Sequence, residues 1–193
     1  MVRWEPDARG RLGQAAFELF AERGFEQVTV AEIAERAGLT ERTFFRYFAD
    51  KREVLFAGAA AFQEMFVSAV EQAPPSAAPI DAIAAALDAA TMPFLQHEAG
   101  SRRRQAIIAA HPDLRERELI KLAAVAAAVA DALRARGVTE PAASLTAEAG
   151  MAVFRIAFER WIAAPEGPGL DQLIHESLDQ LKAVTAGHPV ASA

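Results

Sequence analysis

The stretch TVAEIAERAGLTERTFFRYFADK (residues 29–51) constrains this chain more than any other. Thr29 and Glu32 have capping-box spacing, which predicts a helix starting at Val30. Ile33, Ala34 and Ala37 give it one apolar side. A helix this short is marginal alone, so packing must hold it. Gly38 stands where a left-handed turn residue belongs, and Leu39 is apolar enough to tuck beneath the turn. Thr40 can cap a second helix, Glu41 to about Phe48. Phe44 and Phe48, four apart, share its buried face. Arg42, Thr43, Arg46 and Tyr47 fall on the other face.

A helix-turn-helix requires this arrangement. Small residues let the helices approach, the glycine turns the corner, and the second helix offers arginine and hydroxyl groups where base edges are reached in a major groove. Asp50 and Glu53 mark the start of a further helix. Lys51 and Arg52 occupy its first turn, where each opposes the helix dipole by about 0.3–1 kcal/mol. A phosphate docked on that helix end would offset the mismatch. Alternatively, the two are solvated surface cations.

The stretch resembles the DNA-binding domain of the tetracycline-repressor (TetR) family of bacterial regulators. The resemblance is carried by Gly24-Phe25, Thr29-Val30, Ile33-Ala34, Ala37-Gly38, Thr43-Phe44-Phe45-Arg46-Tyr47-Phe48 and Lys51. It implies a phosphate contact at Thr29, groove contacts from Thr40, Arg42 and Thr43, and backbone contacts from Tyr47 and Lys51. Two positions depart from the family pattern. Phe45 stands where a phosphate-binding tyrosine is common and has no hydroxyl, although a thymine methyl or sugar is within its chemistry. Tyr47 stands where histidine is common.

The chain has 193 residues, 52% of them hydrophobic, enough for a sizeable core and one large or two small domains. It has no cysteine, so disulfides and thiolate metal sites are excluded. No run of eighteen apolar residues lacks a charge and the N-terminus lacks a signal-peptide core, so a cytoplasmic protein without a membrane partner is expected. The net charge of −6 argues against a nucleic-acid partner only in bulk. A reading head needs a local basic surface, for which Arg3, Arg9, Arg11, Arg42, Arg46, Lys51 and Arg52 are available.

Outside the head the pattern is helical throughout. A first helix is expected from about Pro6 to Arg23, with Leu12, Ala15, Ala16, Leu19 and Phe20 on one side, after a loose arm carrying Arg3. A helix from Lys51 to about Gln72 is either a lever between head and body or an ordinary core helix. The break APPSAAP precedes a helix from Ile80 to about His97, which Pro93 should kink or end. Further helices are expected from near Ser101, over Asp113–Arg136, Pro141–Ala163 and Leu170 to about Ala186, before the tail GHPVASA. The fold class is therefore all-α with about nine helices. A helix-turn-helix domain (1–50) precedes a helical ligand-binding and dimerisation domain (51–193).

The Pro141–Ala163 helix is apolar on two sides, so it is buried on two sides. Leu145, Ala149, Val153 and Ile156, with Leu173, Ile174, Leu178 and Leu181 of the last helix, are the expected homodimer interface, a four-helix bundle between copies. Use of both stripes within one protomer is the alternative. Phe62, Phe66, Leu87, Met92, Phe94, Ile108, Phe154 and Phe158 are candidate walls of an apolar effector pocket, or ordinary core. Gln105 and His111 are the polar groups that could orient a ligand. The Arg102-Arg103-Arg104 run is either a solvated face or an attractor of an anionic ligand group. No metal-ligand cluster, Gly-rich phosphate loop or nucleophile signature appears, so neither catalysis nor a cofactor is expected. The leading expectation is a homodimeric transcriptional regulator of a double-stranded DNA operator, a repressor released by a small effector. The alternatives are a DNA-binding protein of the same fold that is constitutive or controlled by a partner, and an enzyme.

Overall fold

A computed structural model describes residues 7–187. The expected arm with Arg3 and the end of the tail lie outside them. Among the described residues there are ten helices and no strand: α1 (Ala8–Arg23), α2 (Val30–Arg36), α3 (Glu41–Tyr47), α4 (Lys51–Val54), α5 (Ala59–Gln72), α6 (Pro79–Gln96), α7 (Glu98–Ala110), α8 (Pro112–Ala135), α9 (Ala142–Ala163) and α10 (Leu170–Thr185). The expected Lys51–Gln72 helix is two, because residues 55–58 form turns. Leu55 and Phe56 are buried there. The stretch has the length and mean hydropathy (1.3) of a membrane-crossing helix. Its interruption and a lysine anchored at its start argue for core packing. Pro93 does not end α6, which continues to Gln96, and α7 begins at Glu98 rather than near Ser101.

The chain forms two compact units: Met1–Ala59 with Arg103–Arg115, and Ala60–Arg102 with Glu116–Ala193. The division differs from a simple cut after residue 50. Val54, Leu55 and Phe56 pack into the first core beside Leu12, Phe20, Ile33 and Phe44, and Ile108 and Leu114 join them from far along the sequence.

In the second unit α9 packs on α10 and α6. The approach of α9 to α6 is close at Gly150, where an added Cβ would lie 2.5 Å from Ile83 Cγ2. One stripe of α9, Met151, Phe154, Phe158 and Trp161, is buried. The apolar side of α10 is spent on the same core through Leu170, Leu173, Ile174 and Leu178.

Candidate nucleic-acid interface

Local caps fix both helices of the head. The Thr29 hydroxyl accepts from the Glu32 backbone N–H, while the Thr29 N–H donates to Glu32 Oε2 at 2.9 Å. Two orphan N–H groups at the start of α2 are satisfied reciprocally. The backbone bond from Thr29, with help from Arg23 at 2.6 Å, lowers the Glu32 pKa from 4.5 to about 2. At the other end of α2, Gly38 turns the corner with φ +67°, and Arg11 of α1 donates to the Ala37 carbonyl. A groove of about 300 Å³ lies there, lined by Arg11, Gln14, Glu18, Arg36 and Gly38. The Thr40 hydroxyl then caps α3 by accepting from the Thr43 N–H at 3.2 Å. Phe44 and Phe48 anchor α3 in the core, 0% and 3% exposed.

That anchoring decides what α3 presents. Arg42, Phe45, Arg46 and Tyr47 are exposed and Thr43 is half-buried. Arg42 makes no ion pair among the described residues. Arg46 lies over the Tyr47 ring, 4.9 Å from its centroid, and donates to the Tyr47 hydroxyl at 3.2 Å. This is a cationic, hydroxyl-bearing face with an aromatic beside it, chemistry suited to base edges and phosphates.

Four of the residues expected to face DNA are engaged within the head. Lys51 is not an open phosphate grip: its ammonium donates to the carbonyls of Phe25, Glu26 and Val28 at 2.9, 3.1 and 3.1 Å. Arg52 pairs with Asp113 at 2.8 Å. Internal partners therefore compensate both cations of α4, and no docked phosphate is needed to explain them. The Thr29 polar groups already face Glu32, whose carboxylate occupies the anion position at the start of α2. Arg9 is also engaged, donating to the Ala57 carbonyl at 3.0 Å.

The candidate effector residues divide. Phe62, Phe66, Phe94, Phe154 and Phe158 come together in the second unit, with ring centroids 5.0–6.1 Å apart. Leu87 is buried in the same core. Met92 is 53% exposed, away from the buried rings of that core. Gln105, Ile108 and His111 belong to the first unit. Ile108 fills the head core. His111 is fixed there, with Nε2 2.8 Å from Glu26 Oε1, Nδ1 3.1 Å from the Ile107 carbonyl, and its ring edge-on to Phe25.

The candidate interface residues divide in the same way. Val153, Leu173, Ile174 and Leu178 are 1–4% exposed within this one chain and have no surface left for a second copy. Leu145 and Ile156 are 65% and 46% exposed. With half-buried Ala149 and Ala152 they form a continuous outward stripe on α9. On α10, Leu181 is half-buried and Val184, which sequence reasoning passed over, is 58% exposed.

Comparison with known proteins matches two stretches of the chain. Residues 13–57 match the family described as bacterial regulatory proteins, tetR family, and residues 77–186 match the MftR C-terminal domain. The HTH-type transcriptional regulator TcmR of Streptomyces glaucescens is 41% identical over 81 residues, 42% of this chain. The match spans only 36% of TcmR's own length. The fold resembles FadR of Bacillus subtilis, solved with stearoyl-CoA, at TM-score 0.64 and 18% identity, covering 89% of this chain and 96% of FadR. It also resembles SmeT, repressor of a Stenotrophomonas maltophilia multidrug efflux pump, at TM-score 0.61 and 20% identity, covering 91% and 89%.

Proposed function

This chain belongs to the tetR family of bacterial regulatory proteins, and on that premise we propose that it is a homodimeric, cytoplasmic, DNA-binding repressor released from its operator by a small apolar or amphipathic ligand. The observation that carries the DNA-binding part is the division of α3. Phe44 and Phe48 lock the helix to the core, and Arg42, Thr43, Phe45, Arg46 and Tyr47 are left on the side that can enter a major groove. Thr40 caps the end that leads, and Thr29 sits at the start of the supporting helix. Lys51 braces the head and supports docking indirectly.

The stripe Leu145, Ala149, Ile156, continued by Leu181 on α10, is the proposed contact between copies. A two-fold dimer uses one patch twice and presents two heads to a symmetric site. The touching aromatic rings of the second unit are the proposed effector site. FadR was solved with stearoyl-CoA and SmeT with triclosan, which supports an apolar body for the ligand. Such a ligand acts only so far as it binds the non-DNA-binding state more tightly. The close contact of the rings favours one alternative, control by a protein partner or none, because an effector must part them to enter.

Sequencing of fragments that the purified protein retains from random duplex DNA tests this reading. Enrichment of an inverted repeat is expected, and retention without any sequence preference would overturn it.

A further inference from the structure

The outward side of α3 is not uniform. Arg42 and Arg46, four residues apart, form its central row. Thr43 and Tyr47, also four apart, flank that row on one side and bring two hydroxyls. The Thr43 hydroxyl lies 3.1 Å from that of Thr40, and the Tyr47 hydroxyl accepts from Arg46. Phe45 flanks the row on the other side, three residues from Arg42 and so its neighbour on the helix surface. One flank is therefore polar, and the other is a bare ring.

Phe20, Phe25, Phe44, Phe48 and Phe56 of the first unit are 0–6% exposed, whereas Phe45 is 55% exposed. Its ring is nevertheless held. It stands edge-on to the buried Phe44, with centroids 5.6 Å apart at 83°. A side chain steadied in this way loses less freedom on docking than a loose one. A single exposed ring is ordinary elsewhere on a protein surface. On a face that a duplex covers, water leaves the ring and apolar atoms must take its place. The ring has no donor for a phosphate oxygen. The apolar group that the bases display in the major groove is the C5-methyl of thymine. Deoxyribose carbons are apolar too, but they are the same at every base pair and give no preference.

We propose that Phe45 is a specificity-determining residue, whose ring packs on the C5-methyl of one thymine in each half-site. The proposal rests on the reading that α3 enters the major groove. Within that reading the work on α3 is divided by chemistry. The arginines seek acceptors on bases and phosphates, the hydroxyls of Thr43 and Tyr47 serve the polar flank, and Phe45 reads by shape and apolar contact alone.

The test uses the full chain and a duplex selected from random DNA. Each thymine of a half-site is replaced in turn by deoxyuridine, which removes the C5-methyl and leaves pairing, sugar and phosphates unchanged. The unaltered chain should lose affinity about fourfold at one thymine per half-site, as expected for one buried methyl. Phe45→Ala and Phe45→Gln should each bind the thymine and uracil duplexes equally at that position. If no thymine is sensitive to loss of its methyl, or if the sensitivity persists in either variant, the proposal is overturned and the groove-entering helix stands. The first comparison needs no variant, so the proposal stays testable should a substitution prevent folding. If the selection enriches no sequence at all, the reading of α3 falls and the proposal with it.

Discussion

The Lys51 ammonium donates to the Phe25 carbonyl at 2.9 Å and stands 4.7 Å from the centroid of the Phe25 ring. With the Glu26 and Val28 carbonyls it closes a strap between the start of α4 and the loop that leads into α2. A charged donor serving three carbonyls holds the head together. Lys51→Met should therefore destabilise the protein by about 1–3 kcal/mol, read in a urea titration. It should leave the salt dependence of DNA binding unchanged. A fall of about one in that slope would instead mark Lys51 as a phosphate contact.

Arg42 has the opposite character. It is exposed on α3 and makes no ion pair among the described residues. Arg42→Ala should leave the thermal midpoint unchanged and cost about 1–3 kcal/mol of discrimination between the selected operator and a single-base variant. Competition binding with the two duplexes measures it.

Glu32 makes the head sensitive to acid. Its pKa lies near 2 in the folded protein against an ordinary 4.5, so between those values the unfolded chain binds more protons. The contribution of Glu32 is complete above about pH 4.5 and is lost as pH falls toward 2. Glu32→Gln should flatten the stability–pH curve in that window and leave its shape above pH 5 unchanged, as followed by urea titrations at successive pH values.

The exposed stripe of α9 and the buried residue beside it should respond differently to charge. Ile156→Asp places a carboxylate on a half-open surface and should yield folded monomers in sedimentation. Val153→Asp buries an unpaired carboxylate at a site that is 3% exposed and should unfold the second unit. Gly150→Ala should also destabilise, by about 1–3 kcal/mol, because Ile83 occupies the space its methyl needs.

These contrasts show which features were legible in the sequence. The caps at Thr29, Thr40 and Asp50 are local, since each partner lies within three residues, and the helices begin where those signals stand. The inward turn of Phe44 and Phe48 follows from helical spacing alone. What the sequence hid depends on distant partners. The acceptors of Lys51 lie 23–26 residues upstream. Ile108 looks like any apolar residue of a body helix, yet it packs in the head. Leu173, Ile174 and Leu178 read equally well as a face for a second copy or for α9, because periodicity reports that a face is buried and not what buries it. The roles of Arg11 and Arg102 had no pattern to betray them, as Arg11 holds the Ala37 carbonyl at the end of α2 and Arg102 two carbonyls of α9.

The central claim is that α3 reads DNA and that two copies do so together. Footprinting on a selected duplex, combined with Arg42→Ala, tests it most directly. The account predicts two protected major-groove patches on one face of the duplex, about one helical turn or 34–36 Å apart, both lost in the variant. A single patch, minor-groove protection alone, or a footprint that Arg42→Ala leaves intact would contradict it.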